Sequence, residues 1–217
     1  MSKRPRAIFY IDGFNLYNGL HRRADAKGLA APEHRWLNLS KLAAFLVPEA
    51  DVIRVRYFTS LVKRRVEDPD AGTRQAVFLR ALATLPNLTV HLGHFQRNKV
   101  WRRLVDDPSK SVRVIDFKEK GSDVNLAAFL IHDALKGECE LGCVISSDSD
   151  LVEPIRLADA ALLRGVIVFS PNIGRPARAL DTVATASRRI KDRAFRACHF
   201  QDELEDDDGV ITKPPTW

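Results

Sequence analysis

Four aspartates of this 217-residue chain stand where folding could gather them into a metal site. Asp12 ends the apolar run Ala7-Ile8-Phe9-Tyr10-Ile11, and Asp148 and Asp150 follow the apolar stretch Leu141–Ser146. Asp123 comes just after Gly121-Ser122, at the head of a helical pattern. In an open α/β sheet the ligand sits beyond the carboxyl ends of the strands, where the strand order reverses. If the two acid-terminated strands are neighbours there, four carboxylates meet. Such a group repels itself and shifts its own pKa values unless a cation neutralises it. Hard oxygen donors with no Cys or His beside them select Mg²⁺ or Mn²⁺ over zinc. Those ions activate water and stabilise in-line displacement at phosphorus. A single aspartate after a strand also serves as a turn former or helix cap, and Asp148 with Asp150 could cap a helix beginning at Leu151. It is the combination of three separate segments that points to a metal.

The charge balance suits that chemistry to a polyanion. The chain carries +6, yet residues 201–217 hold six acids against one lysine, so their −5 leaves +11 on residues 1–200. A core this basic favours polyanions or anionic membranes. The acidic tail reads as a disordered extension, one that lies over the basic face or merely solubilises. Against roughly 150 residues per domain, the expectation is one domain over 1–200 and a tail over 201–217. A composition 45% apolar and 29% charged excludes disorder, collagen and coiled coil as whole-chain descriptions. No run approaches the roughly 20 apolar residues that span a bilayer. The basic N-terminus passes into strand-like sequence instead of a signal peptide's apolar core, so a cytoplasmic location without membrane contact is expected.

Other constellations carry less. Cys139, Cys143 and Cys198 are odd in number and lack a second ligand pair, which fits neither a disulfide framework nor zinc. His91 and His94, three apart on one expected strand, would point to opposite faces. His132 and Asp133 are adjacent in a helical pattern and diverge by about 100°. No Ser-His-Asp arrangement, no Walker loop and no G-x-G-x-x-G after the first strand is visible, which disfavours nucleotide-binding Rossmann chemistry.

The elements that would position these acids alternate between strand and helix. Strands are expected over Arg6–Ile11, Asp51–Ser60, Leu88–Phe95, Leu141–Ser146 and Gly165–Phe169. Helices are expected over Lys41–Val47, capped by Asn38 and stopped by Pro48, and over Asp70–Leu85, Asp123–Lys136, Leu151–Leu163 and Pro176–Thr185. Strands apolar on both faces, each alternating with a helix, argue for a parallel sheet covered on both sides. Arg97–Val105 and Val112–Lys118 flank the turn Asp106-Asp107-Pro108-Ser109 and read as an exposed hairpin.

Three blocks, Ile8-Phe9-Tyr10-Ile11-Asp12-Gly13-Phe14-Asn15-Leu16, Lys120-Gly121-Ser122-Asp123-Val124 and Ser146-Ser147-Asp148-Ser149-Asp150-Leu151, together resemble the NYN domain family, relatives of the PIN-domain nucleases. The likeness extends over roughly residues 6 to 185, with the blocks in the family's order. It implies a Rossmann-like α/β fold with PIN-like strand order 3-2-1-4-5, helices on both faces, and a Mg²⁺- or Mn²⁺-dependent ribonuclease site. Carried across, Asp12, Asp123, Asp148 and Asp150 match the metal-binding acids. Asn15 would bond the substrate phosphate or a bound water, and Ser146 would support the acids. Asp133, ten residues into the helix, is read as a supporting or structural residue. The implied products are a 5′-phosphate and a 3′-hydroxyl. PIN-like domains frequently pair, so a homodimer is a further expectation.

The expected hairpin would hold the nucleic acid. Residues 97–120 contain eight bases against four acids, with Arg97, Lys99, Trp101 and Lys120 as the candidates for substrate contact. Cations that track phosphates and an aromatic that stacks a base are what single-stranded RNA requires; Trp101 packed on the sheet is the structural alternative. Arg22, Arg23, Lys63, Arg64 and Arg65 are expected on loops along the same edge. The leading expectation is therefore a metal-dependent endoribonuclease acting on RNA. The alternatives are a non-cleaving RNA-binding module of the same fold and a small-molecule phosphoesterase.

Overall fold

The computed structural model describes residues 3–26, 32–62, 68–172 and 178–217. Lys63, Arg64 and Arg65 lie outside these residues. In chain order the elements are β1 (Arg6–Asp12), α1 (Gly13–Ala26), a 3-10 turn (Pro32–Arg35), α2 (Leu39–Leu46), β2 (Asp51–Thr59), α3 (Ala71–Ala83) and β3 (Leu88–Leu92). Then come β4 (His94–Arg103), β5 (Ser111–Lys120), α4 (Ser122–Leu135), β6 (Leu141–Ile145), a 3-10 turn (Ser149–Leu151), α5 (Val152–Ala161) and β7 (Val166–Ser170). The chain closes with α6 (Arg178–Asp181), β8 (Ala186–Arg189), α7 (Asp192–Ala197), β9 (Glu203–Asp206) and β10 (Gly209–Thr212).

The main sheet has six strands in the order β3-β2-β1-β6-β7-β8, and every pair in it is parallel. β1 and β6 are central, and five consecutive residues of each are buried, which is why both read as unbroken apolar runs. Side chains alternate between the two faces of β1. Ala7, Phe9 and Ile11 join one core with α1, α2, α3 and α7, and Ile8 and Tyr10 join a second core with α4, α5 and α6. The chain leaves β1 for β2 on one side and returns to β6 on the other, so the order reverses between β1 and β6. Asp12 closes β1 at that crevice.

Several expectations are corrected. The third strand does not run through to Phe95. It breaks at Gly93, where a Cβ would lie 2.6 Å from both Ser60 Oγ and the Lys120 carbonyl, so His91 and His94 belong to different strands. The hairpin exists but is longer, with β4 and β5 paired antiparallel from His94↔Lys120 to Arg103↔Ser111. Of the helix expected over Pro176–Thr185, only Arg178–Asp181 is helical among the described residues. The sixth strand, β8, was not anticipated.

The acidic tail is not a disordered extension. β9 and β10 form an antiparallel hairpin that Arg80 of α3 clamps through both oxygens of Asp206 and the Gly209 carbonyl. Ile211 is buried in the first core, and the Trp217 ring meets Phe78 at 5.6 Å. No described helix is long and apolar enough to cross a membrane.

Candidate active site

Asp12, only 3% exposed, is held from two directions. From the first turn of α1, the Asn15 backbone N–H donates to its Oδ1 at 2.9 Å and Asn15 Nδ2 donates to its Oδ2 at 2.6 Å. From the segment after β6, Ser146 Oγ donates to the same Oδ2 at 2.9 Å. The contacts continue outward: the Asp148 N–H donates to Ser146 Oγ at 3.1 Å, and the Asp150 N–H donates to Asp148 Oδ1 at 3.0 Å. Ser147 N–H closes the loop on Asn15 Oδ1 at 3.3 Å. Asp148 is thus the cap of the 3-10 turn that leads into α5, and capping and placement at the crevice are served by one side chain.

Asp123 lies in the first turn of α4, after Gly121, whose φ of 100° suits glycine. Its pKa is pushed up to about 6, first by burial and then by the charges of Asp12, Asp148, Glu119 and Asp150. Burial likewise raises Asp12, with Asp148 adding to the effect while the bonds from Asn15 and Ser146 oppose it. The expected acids therefore lie in one field, in which each like charge raises the cost of ionising the next.

Glu119 is an acid whose role the sequence reading missed, having counted it only within the hairpin. Its Oε1 accepts from Ser60 Oγ and Ser122 Oγ, each at 2.7 Å, and from the Ser122 N–H at 3.2 Å. It ties the end of β5 to the start of α4 and to the loop after β2. A Glu three residues before a helix-opening Ser was the available signal.

As the side chains stand, no three His, Cys, Asp or Glu among the described residues are gathered tightly enough to hold an ion. The donor chemistry nonetheless fits a hard divalent cation. A carboxylate offers about four lone-pair sites; three hydrogen bonds reach Asp12, one on Oδ1 and two on Oδ2. Oδ1 thus keeps acceptor capacity, and the exposed Asp150 and half-exposed Asp148 have room to turn inward.

Asp133 sits apart, 1% exposed, accepting from Tyr10 Oη at 3.0 Å and from Arg56 Nε and Nη2 at 2.9 and 3.1 Å. Burial works to raise its pKa, but the bonds and charge of Arg56, with His132 and Tyr10, hold it below the ordinary carboxylate range. It is a structural tie between α4 and strands β1 and β2.

The hairpin's candidates divide between two faces. Residues directly opposite in an antiparallel pair share a face, which groups Arg97 with Phe117, Lys99 with Ile115 and Trp101 with Arg113. These lie on the face of Phe95, whose ring meets Phe14 edge-on at 6.0 Å, one residue from Asn15. Lys120, opposite His94, lies on the other face. Trp101 is 68% exposed and does not pack on the sheet. Arg22 is exposed on α1, a helix and not the expected loop; Arg23 is in the same helix.

No family model matches this chain. It is similar to the 6-hydroxy-3-succinoylpyridine 3-monooxygenase HspA of Pseudomonas putida, 26% identical over 248 aligned positions that span all of this chain and 76% of that protein. In fold it is similar to a protein of unknown function from Vibrio parahaemolyticus, with a TM-score of 0.54 and 15% identity over 88% of this chain and 97% of the other.

Proposed function

We propose that this chain is a divalent-metal-dependent endoribonuclease of the NYN type, cutting single-stranded RNA at the crevice between β1 and β6. One observation carries the reading: Asp123 is raised to about 6 by burial and by four other acids brought from three separate segments. Asp12, Asp123, Asp148 and Asp150 would hold Mg²⁺ or Mn²⁺, which when bound supplies charge neutralisation and an activated water. Asn15 and Ser146 fix the Asp12 carboxylate so that it need not reorganise during the reaction. Asp123, partly exposed at the head of α4, orients the attacking water. The Arg97–Lys99–Trp101 face of the hairpin holds the RNA backbone and stacks a base. The protein acts in the cytoplasm, and a homodimer would set two such crevices in one particle.

The experiment is cleavage of a labelled single-stranded RNA with Mn²⁺ or Mg²⁺ by wild type, Asp12→Asn and Asp148→Asn. Loss of cleavage in both variants is expected; undiminished activity removes these residues from the mechanism. RNA binding that persists in EDTA without turnover in any divalent ion would leave a binding module, and turnover confined to phosphomonoesters would leave a phosphoesterase. The similarity to HspA across the whole chain motivates a second reading, ring hydroxylation. Oxygen-dependent loss of 6-hydroxy-3-succinoylpyridine in the presence of a reductant would favour it.

A further inference from the structure

A cavity of about 250 Å³ lies against Gly13, on the sheet face opposite α4, between α1, the start of α3 and the end of β2. Its walls are aromatic: Phe14, Tyr17, Tyr57, Phe78 and Trp217 all line it. The Phe78 ring meets Tyr57 edge-on at 6.2 Å and Trp217 at 5.6 Å, so the rings brace one another around the space. Pockets for drug-sized ligands run from about 300 Å³ upward, whereas a dry cavity of about 150 Å³ takes a benzene ring. This space suits one ring with its substituents.

Several of the polar groups around it are engaged with one another. Gln75 accepts from the Val62 N–H at 2.7 Å and donates to the Ser60 carbonyl at 2.9 Å. Arg74 is paired with Asp68, at 2.6 Å to Oδ1. The indole Nε1 of Trp217 is buried and has no hydrogen-bond partner among the described residues. A buried donor without an acceptor is unfavourable, and a ring bearing a carbonyl or a bare ring nitrogen carries the acceptor that this donor lacks.

Gly13 joins this cavity to the acids. A Cβ there would lie 2.7 Å from Tyr57 Oη and 2.8 Å from the Phe58 carbonyl, so glycine keeps the cavity wall uncrowded at the residue next to Asp12.

We infer that this cavity is a subsite for one six-membered heteroaromatic ring carrying a hydrogen-bond acceptor, which in RNA is a pyrimidine base beside the scissile phosphate. The inference deepens the ribonuclease reading and rests on it for the source of the ring. The ring stacks among the aromatics while its attached phosphate lies past Gly13 at the end of β1.

The test is calorimetric titration of the full chain with uridine and with 2-pyridone, in wild type, Ala71→Phe and Trp217→Phe, each confirmed folded by its melting curve. Ala71 lines the cavity at the first position of α3, half-buried, so a phenyl ring there fills the space. Tyr17→Ala, which removes a wall residue that is 40% exposed, serves if Ala71→Phe fails to fold. Both probes should bind wild type and bind Ala71→Phe or Tyr17→Ala at least tenfold more weakly, and 2-pyridone should weaken in Trp217→Phe. Absence of binding to wild type, or binding indifferent to the cavity substitutions, overturns the inference. RNA cleavage lost in Asp148→Asn but unchanged in Ala71→Phe would keep the ribonuclease and reject the subsite. Ring binding that depends on Ala71, with no RNA cleavage in any metal, would keep the ring site and reject the ribonuclease.

Discussion

Asn15 grips both oxygens of Asp12, its backbone N–H on Oδ1 at 2.9 Å and its side-chain amide on Oδ2 at 2.6 Å. The backbone contact survives any substitution but proline; the amide contact does not. Asn15→Ala would remove one of the bonds that hold the Asp12 pKa down against burial. The carboxylate then becomes harder to ionise and less fixed. Loss of such a supporting partner costs about 10–100-fold in activity or metal affinity. The acid limb of the pH–rate profile should also move to higher pH, because Asp12 must be ionised to act. Asn15→Asp, which sets a second acid on Asp12, should lose more. Cleavage rates in Mn²⁺ between pH 5 and 9 measure both effects.

Asp123 makes the site a source of instability that a bound cation would relieve. Its folded pKa of about 6 exceeds the ordinary 3.8, so the folded state holds this proton more tightly than the unfolded one. Stability therefore falls as pH rises from about 4 to 6 and stays lowered above that. A shift of this size sets a ceiling of about 3 kcal/mol; solvent screening at a partly exposed position reduces it to about 1 kcal/mol. Asp123→Asn should melt about 2–4 °C above wild type at pH 7.5, with the difference vanishing below pH 4. Mn²⁺ should raise the wild-type melting temperature by mass action and raise the variant's less. Differential scanning fluorimetry across pH reads both.

Asp133 should matter for folding and not for chemistry. Arg56, 11% exposed along its side chain, donates two hydrogen bonds to it and lies 4.3 Å over the Phe129 ring. Asp133→Ala leaves that guanidinium buried and unpaired, which costs about 3–5 kcal/mol. Urea denaturation should show the loss, while the fraction that folds at low temperature should cleave RNA at the wild-type rate. A catalytic defect in fully folded Asp133→Ala would place this acid in the site after all.

What the sequence disclosed followed from how each residue is buried. β1, β6 and β7 are covered on both faces, so their apolar runs and the acids after them were readable. β8 runs Ala-Ser-Arg-Arg at the sheet edge with three exposed residues, and no hydrophobic pattern betrays it. The tail hairpin was hidden by its charge, because what orders it is Arg80 on Asp206 together with Ile211 and Trp217 seated on distant residues. The break at Gly93 depends on Ser60 and Lys120 crowding that point, a contact between segments far apart in the chain. The places of the acids at the end of β1, at the head of α4 and after β6 were legible. The support of Ser146 for Asp12 was implied by the resemblance; the bond from Ser60 to Glu119 was not legible, since it joins residues whose proximity only the fold creates.

The hairpin's two faces should differ in their effect on RNA. Arg97, Lys99 and Arg113 share a face with Trp101 and lead through Phe95 and Phe14 toward Asn15, whereas Lys120 faces the other way. Each phosphate contact removed from a single strand lowers the slope of log affinity against log salt by about 0.7. Arg97→Ala, Lys99→Ala and Arg113→Ala should each flatten the slope by about that amount, and Lys120→Ala should leave it nearly unchanged. Trp101→Ala should instead weaken binding at every salt concentration, by about 1–3 kcal/mol for a stacked base, without altering the slope. Fluorescence anisotropy of a labelled RNA bound to Asp148→Asn, titrated from 50 to 300 mM salt, separates the two effects. Equal slopes for Lys120→Ala and Arg97→Ala would mean that the RNA does not follow this face.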